Sequence, residues 1–204
     1  LEKKNNYSTT AFGSNVQWHR NGFQLGLTAL YSQFSRPLCP NTEQKYRTDY
    51  PQGYNFWNIG ANYGYINSRW NVNGESAMSG NGAFATLNSA SFQASKQVAI
   101  TAIQRYYSAK YWALNGNAFS EGGQTRNEMG LLLGLAWTIN RFLTANIYSD
   151  YAYFAKPRYL ASVASCAWDN LFSTVYTRNN FSFLVRYRFK IRQKDNVNST
   201  RLTN

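Results

Sequence analysis

The sequence predicts an all-β fold, an antiparallel transmembrane β-barrel with about ten strands in this chain. Three observations predict it. The first is alternation: in residues 181–192, FSFLVRYRFKIR, Phe181, Phe183, Val185, Tyr187, Phe189 and Ile191 share one side. Ser182, Leu184, Arg186, Arg188, Lys190 and Arg192 share the other. A period of two is the signature of a strand, because successive side chains point to opposite faces. Twelve residues also exceed the usual strand of about five or six and approach the roughly 9–11 that a tilted strand needs to cross a bilayer.

The second observation is composition. Charged residues make up 15% of the chain and aromatics 17%, with 16 tyrosines. A soluble domain carries about 25% charged residues, so the deficit of charge beside a surplus of aromatics suits a barrel with interfacial girdles. No stretch approaches the roughly 18 apolar residues of a membrane helix. The longest candidate, 129–137, is interrupted by Gly130 and Gly134. A membrane reading therefore has to be made of strands.

The third observation comes from marking the strands in order. Alternation gives strands at 12–19, 23–34, 55–66, 69–78, 83–92, 97–107, 128–138, 142–153, 170–177 and 181–192. Short turns fall at 20–22, 67–68, 93–96, 139–141 and 178–180, two of them built on Asn21-Gly22 and Asn179-Asn180, which tolerate the positive φ of tight hairpins. The other connections are 35–54, 79–82, 108–127 and 154–169, and three of these four are long. Sorting of loops by parity is what outer-membrane barrels do, with short periplasmic turns and longer external loops.

That parity puts both chain ends on the long-loop side. Barrels of this kind keep their ends on the other side, so residues 1–204 read as one partial barrel domain continuing beyond both ends. The intact barrel then has twelve or more strands. No leader pattern follows Leu1, which suits a mature form or a fragment. Cys39 and Cys166 both fall in external connections in this reading. A disulfide between them is compatible with an oxidising envelope, and two free loop cysteines are equally compatible.

Little supports catalysis. His19 is the one histidine, placed at a strand end beside a tight turn, where a rim histidine is the simpler assignment than a nucleophile's base. No His/Cys/Asp/Glu set has metal-ligand spacing and no phosphate loop is present, so neither a metal nor a cofactor is expected. The ionisable residues on the inward side are Glu75, Arg105, Glu128, Asp150, Arg186, Arg188, Lys190 and Arg192. Cations at alternate positions of one strand stand about 6.6–6.8 Å apart and make a basic ladder. It serves either as internal ion pairing, with Glu75, Glu128 and Asp150 facing the cations, or as a track for a polyanion. Unpaired enclosed charge is costly, which favours pairing.

The net charge of +12 is carried mostly at the two rims. Arg20, Arg69, Lys96, Arg141 and Arg178 lie by the short turns; Arg36, Lys45, Arg47, Lys110, Arg126, Lys156 and Arg158 lie in the longer loops. Such residues suit outer-membrane lipid and lipopolysaccharide phosphates, and they also suit a nucleic-acid backbone.

The segments GESA and GNGAFATLNSASF, then QRYYSAKYWALNGNAFSEGGQTRNEMGLLLGL and YSDYAYFAKPRY, span residues 74–159. They resemble the barrel region of a family of Bacteroidota outer-membrane proteins that often carry an N-terminal helix-hairpin-helix module similar to that of competence DNA receptors. The module itself is absent from these residues. Where the relatives often have a Phe-Pro-Trp-like turn, this chain has Phe154-Ala155-Lys156-Pro157-Arg158-Tyr159. The resemblance implies a porin-like, non-enzymatic barrel in the bacterial outer membrane, with DNA uptake and partner outer-membrane proteins as associations of the family. The two expected roles are handling or anchoring a polyanion such as DNA, and serving as a plugged accessory subunit of a larger complex.

Overall fold

The hairpin signals of the sequence dominate the architecture. In the computed structural model, which describes residues 7–114 and 116–195, ten strands form one antiparallel sheet in chain order. They are β1 (Thr9–Arg20), β2 (Phe23–Leu38), β3 (Gly53–Ile66), β4 (Trp70–Ser79), β5 (Phe84–Gln93), β6 (Val98–Tyr107), β7 (Glu128–Asn140), β8 (Leu143–Phe154), β9 (Ser165–Arg178) and β10 (Phe181–Arg192). The one helical turn in the described residues is a 3-10 segment, Lys45–Arg47. No described helix is long and apolar enough to cross a membrane.

Asparagines build the short turns as the sequence suggests. Asn21 and Gly22 adopt φ of 49° and 81°, the positive pair a two-residue hairpin requires. A side chain at Gly22 would also collide with the Ile66 carbonyl oxygen at 2.4 Å, where the turn abuts the end of β3. The Asn67 side chain accepts from the backbone N–H of Arg69 and Trp70 at 2.8 and 2.7 Å. Asn140 does the same for Phe142 and Leu143 at 2.9 and 3.1 Å. Each carboxamide supplies acceptors to turn N–H groups that have no ladder partner.

Strand ends differ from expectation where side chains alternate poorly. β9 begins at Ser165 rather than 170, so Cys166 is a strand residue and not a loop residue. β2 runs on to Leu38 through Arg36 and Pro37, with a register shift against β3 between Gln33 and Leu38. A bulged strand end of this kind tolerates a proline that a regular ladder would not.

Register sorts the sheet into two faces. One cross-strand row reads Ile100, Leu135, Ile147, Phe172 and Tyr187 from β6 to β10, and all of these except Leu135 are exposed apolar residues. An inner row nearer the longer connections reads Leu87, Arg105, Gly130, Ala152, Ala167 and Arg192. The outer face carries polar groups at mid-sheet, and those from β3 to β6 bond to one another. The Tyr63 hydroxyl donates to Asn88, Asn88 donates to Gln104 at 2.7 Å, and Ser76 and Thr86 share a bond of 3.0 Å. Polar groups paired along the surface are tolerable in an apolar solvent where unpaired ones are not.

The sheet curls. Asn58 on β3 donates to the Trp112 carbonyl at 2.8 Å, while Lys190 on β10 reaches Glu121 at 2.8 Å. Both partners belong to the single connection 108–127, so strands far apart in sheet order close around one loop. β1 and β10 do not pair with each other, and each keeps one unpaired edge among the described residues. The expected alternation of loop lengths holds, again with the connection 80–83 as its exception. Connections 21–22, 67–69, 94–97, 141–142 and 179–180 lie at one end of the sheet; 39–52, 80–83, 108–127 and 155–164 lie at the other, here called the mouth. The path of residues 196–204 lies outside the described residues.

Candidate functional site

The concave face is organised by charge. Arg105 is fully shielded, and its Nε meets Glu128 at 2.5 Å while its Nη1 meets Asp150 at 2.7 Å. The register explains the meeting: Arg105 pairs with Gly130, whose missing side chain leaves the groove that the guanidinium fills. A methyl group at Gly130 would stand 2.3 Å from Arg105 Cζ. Phe119 of the inward loop covers the same guanidinium, with Cζ 4.9 Å from the ring centre, an arrangement that adds cation–π attraction to a desolvated cation.

Glu128 has a second task. Its two carboxylate oxygens accept the backbone N–H of Glu121 and Gly122, each at 2.8 Å. That clamps the loop 108–127 against the strands and turns the Glu121 side chain toward β10. Glu121 then takes Lys190 at 2.8 Å and Arg192 at 2.6 Å. Asp169 on β9 accepts from both Nε, at 2.8 Å, and Nη2 of Arg188, and accepts Lys190 at 3.0 Å. Four cations thus meet four carboxylates: Arg105, Arg188, Lys190 and Arg192 with Glu121, Glu128, Asp150 and Asp169.

These contacts correct the expected partners. Internal pairing is present, but Glu128 and Asp150 serve Arg105 rather than the β10 cations. Asp169 and Glu121 serve β10 instead. Asp169 escaped notice because residue 169 reads as loop when β9 is started too late. Glu121 escaped because nothing local tells whether a loop residue turns inward. Glu75 pairs with no cation in the described residues; it lines a small cavity of about 130 Å³ with Leu87, Tyr107, Tyr111 and Thr125. Burial raises the Tyr111 phenol above its ordinary value, as low-dielectric surroundings penalise the anion. Arg186 also has no carboxylate partner among the described residues.

The other candidates separate. Cys39 is exposed in the loop after β2, and Cys166 is half-buried on the outward face of β9 beside Tyr153; both thiols are free. His19 stays at the short-turn rim and bonds to Gln17 at 3.1 Å. The described residues contain no group of three or more His, Cys, Asp or Glu that could hold a metal.

At the mouth, the three long connections converge. Tyr46 packs edge-to-face on Tyr159 at 5.8 Å, and Arg126 lies over Tyr50 at 4.3 Å. Asn127 donates to the Lys156 carbonyl at 2.9 Å and accepts its N–H at 2.8 Å. Between these loops is a cavity of about 270 Å³, lined among others by Tyr50, Arg126, Arg158, Tyr159 and Arg192.

No family model matches this chain, and no curated protein matches it. Solved structures similar to it include the NanC porin, at 13% identity and a TM-score of 0.36, covering 93% of this chain and 98% of that one. The KdgM porin is similar at 11% identity and a TM-score of 0.33, covering 93% of this chain and all of that one.

Proposed function

We propose that this chain is part of a non-enzymatic, porin-like β-barrel of the bacterial outer membrane whose mouth is narrowed by the inward loop 108–127. The observation that carries this reading is the sorting of the two faces. The outer face carries exposed Phe, Trp, Tyr, Leu and Ile from every strand, which would be costly in water and favourable in lipid. The inner face carries the charges, each paired cation held by a carboxylate. The unpaired edges of β1 and β10 extend the argument. A membrane offers no water to such edges, so the barrel closes through strands additional to these ten.

Occupancy of the mouth by a clamped loop favours the accessory or constricted role over passage of a polymer. Arg188, Lys190 and Arg192 are already engaged by Asp169 and Glu121, which leaves less of the basic ladder for a strand of DNA. Kinship with the helix-hairpin-helix family stays a proposal that rests on the segment resemblance. The intact gene product tests the reading. It should fractionate with outer membranes, migrate faster on gels when unheated, and give only small conductance steps in planar bilayers. Recovery as a monodisperse water-soluble protein without detergent would overturn it; large, long-lived conductance would overturn the narrowed mouth.

A further inference from the structure

We propose that the outward face of β4–β6 is an interface with a second copy of this chain in the membrane, the two Gln104 carboxamides bonding to each other across a two-fold axis. The inference rests on the barrel reading and adds an assembly to it.

Hydrogen-bond balance carries it. Register sets Tyr63, Gly74, Asn88 and Gln104 side by side on the outer face. Asn88 is the fifth of the ten residues of β5, well inside the strand. Its carboxamide is satisfied in place: it accepts from the Tyr63 hydroxyl and donates to Gln104 Oε1 at 2.7 Å and Thr86 Oγ1 at 3.2 Å. Gln104 is only half satisfied. Its oxygen accepts from Asn88, but its Nε2, which carries two N–H donors, finds no acceptor among the described residues. The residue is exposed, with Tyr106 between it and the mouth. Lipid tails offer no acceptor, and an unpaired polar group is costly among them.

Residue size points the same way. The next outward row toward the short turns is Val72, Ala90 and Ala102, and with Gly74 it leaves the surface shallow. The neighbours of Gln104 and Ala102 on β7 are Leu131 and Leu133, both exposed, the side chains a lipid-facing wall calls for. In an apolar solvent small residues let backbones approach and side-chain amides bond across the contact, as between membrane helices. β4, β5 and β6 are also the shortest strands, ten residues each, and the connection 80–83 above β4 and β5 is the short exception at the mouth.

A second copy is the occupant that fits. Two copies in one membrane share an orientation, so a two-fold axis along the membrane normal brings residues of equal height together. Gln104 then meets Gln104, and each Oε1 keeps a lone pair for the other's Nε2. β4–β6 stand mid-sheet, away from the free edges of β1 and β10, so the contact leaves closure of the barrel undisturbed.

The test uses the intact protein in outer membranes and in liposomes. Ala102→Cys and Ala90→Cys, in a background of Cys39→Ser and Cys166→Ser, should give disulfide-linked homodimers on mild oxidation, whereas Ile147→Cys, outward on β8, should not. Energy transfer between copies labelled separately at Cys39 should report the same association without the added thiols. Gln104→Leu should weaken association at least tenfold, and it should still fold because leucine keeps the wall apolar. Tyr187→Leu, on the far outer face, should leave association unchanged. Lipid against this face predicts the opposite: no crosslink, no energy transfer, and no effect of Gln104→Leu; any of these overturns the proposal. Capture of a different protein by Ala102→Cys in place of a second copy also overturns it. A protein that fractionates with outer membranes yet stays monomeric sinks the interface alone, whereas recovery outside the membrane sinks the barrel reading with it.

Discussion

Arg105 and Glu128 meet at 2.5 Å with both side chains fully shielded from solvent, and Glu128 simultaneously holds the backbone of Glu121 and Gly122. One carboxylate therefore joins the barrel wall to the loop in its mouth. Wall stability and loop position are linked through this pair.

Removing the cation alone should be severe. Arg105→Met leaves Glu128 and Asp150 buried without a counter-charge, and breaking a buried pair costs about 3–5 kcal/mol. Thermal unfolding of the intact protein in detergent, followed by loss of β circular dichroism, should show the loss. Neutralising all three groups together, as Arg105→Met with Glu128→Gln and Asp150→Asn, should recover most of it. If the triple variant is no more stable than the single one, desolvated charge is not what the pair balances.

Gly130→Ala should reproduce much of the Arg105→Met phenotype without touching a charge. The added methyl would clash with Arg105 Cζ, Nε and Nη2, so the guanidinium must shift out of its place between the two carboxylates. Gly134→Ala, whose new methyl would meet nothing nearer than 3.7 Å, is the matched control and should be close to neutral. Equal behaviour of the two variants would count against the groove.

Glu121→Gln should free the loop while sparing the wall. It removes the partner of Lys190 and Arg192 but leaves the clamp from Glu128 to the loop backbone. The expected result is faster cleavage within 108–127 by external protease, with an unfolding midpoint near wild type. Conductance should rise. Unchanged cleavage would mean that the backbone clamp alone positions the loop.

Alkaline pH should release the same loop. Burial raises the Tyr111 phenol above its ordinary value, so the folded state holds the proton more tightly than the unfolded one. Its contribution is complete below the ordinary tyrosine value of about 10 and is lost as pH rises through the raised one. Protease sensitivity of 108–127 should therefore increase from pH 9 to 12 in the wild type. Tyr111→Phe, with no phenol to ionise, should show a smaller increase, and an identical profile in both would remove Tyr111 from the response.

The thiols offer a direct check on the mouth and the outer face. Cys39 is free and exposed, and Cys166 is free, half-buried and outward on β9. A membrane-impermeant maleimide should label Cys39 without prior reduction and label Cys166 poorly in detergent or lipid. A gel shift on reduction, with labelling appearing only afterwards, would show that the two are bonded.

Residues 181–192 show what the sequence alone determined. Its predicted strand and the observed β10 coincide, because side-chain alternation and the flanking Asn-Asn turn are local properties. The same local rules set the strand order, the two faces and the parity of the connections. The exceptions are just as physical: β9 was hidden between 165 and 169 because Ser165, Cys166, Ala167 and Trp168 do not alternate by polarity.

Tertiary structure alone decided who pairs with whom. Arg105, Glu128 and Asp150 were all legible as inward charges, yet their meeting depends on register across three strands and on the space left by Gly130. Glu121 lies in a Gly-rich loop that reads as external, and Arg126 and Arg158 looked like ordinary rim cations. Only the curl of the sheet brings that loop into the concavity, where Glu121 meets Lys190 and Arg192 and Arg126 and Arg158 line one cavity. Alternation is written within one strand; electrostatic partnership is written between segments far apart in the chain.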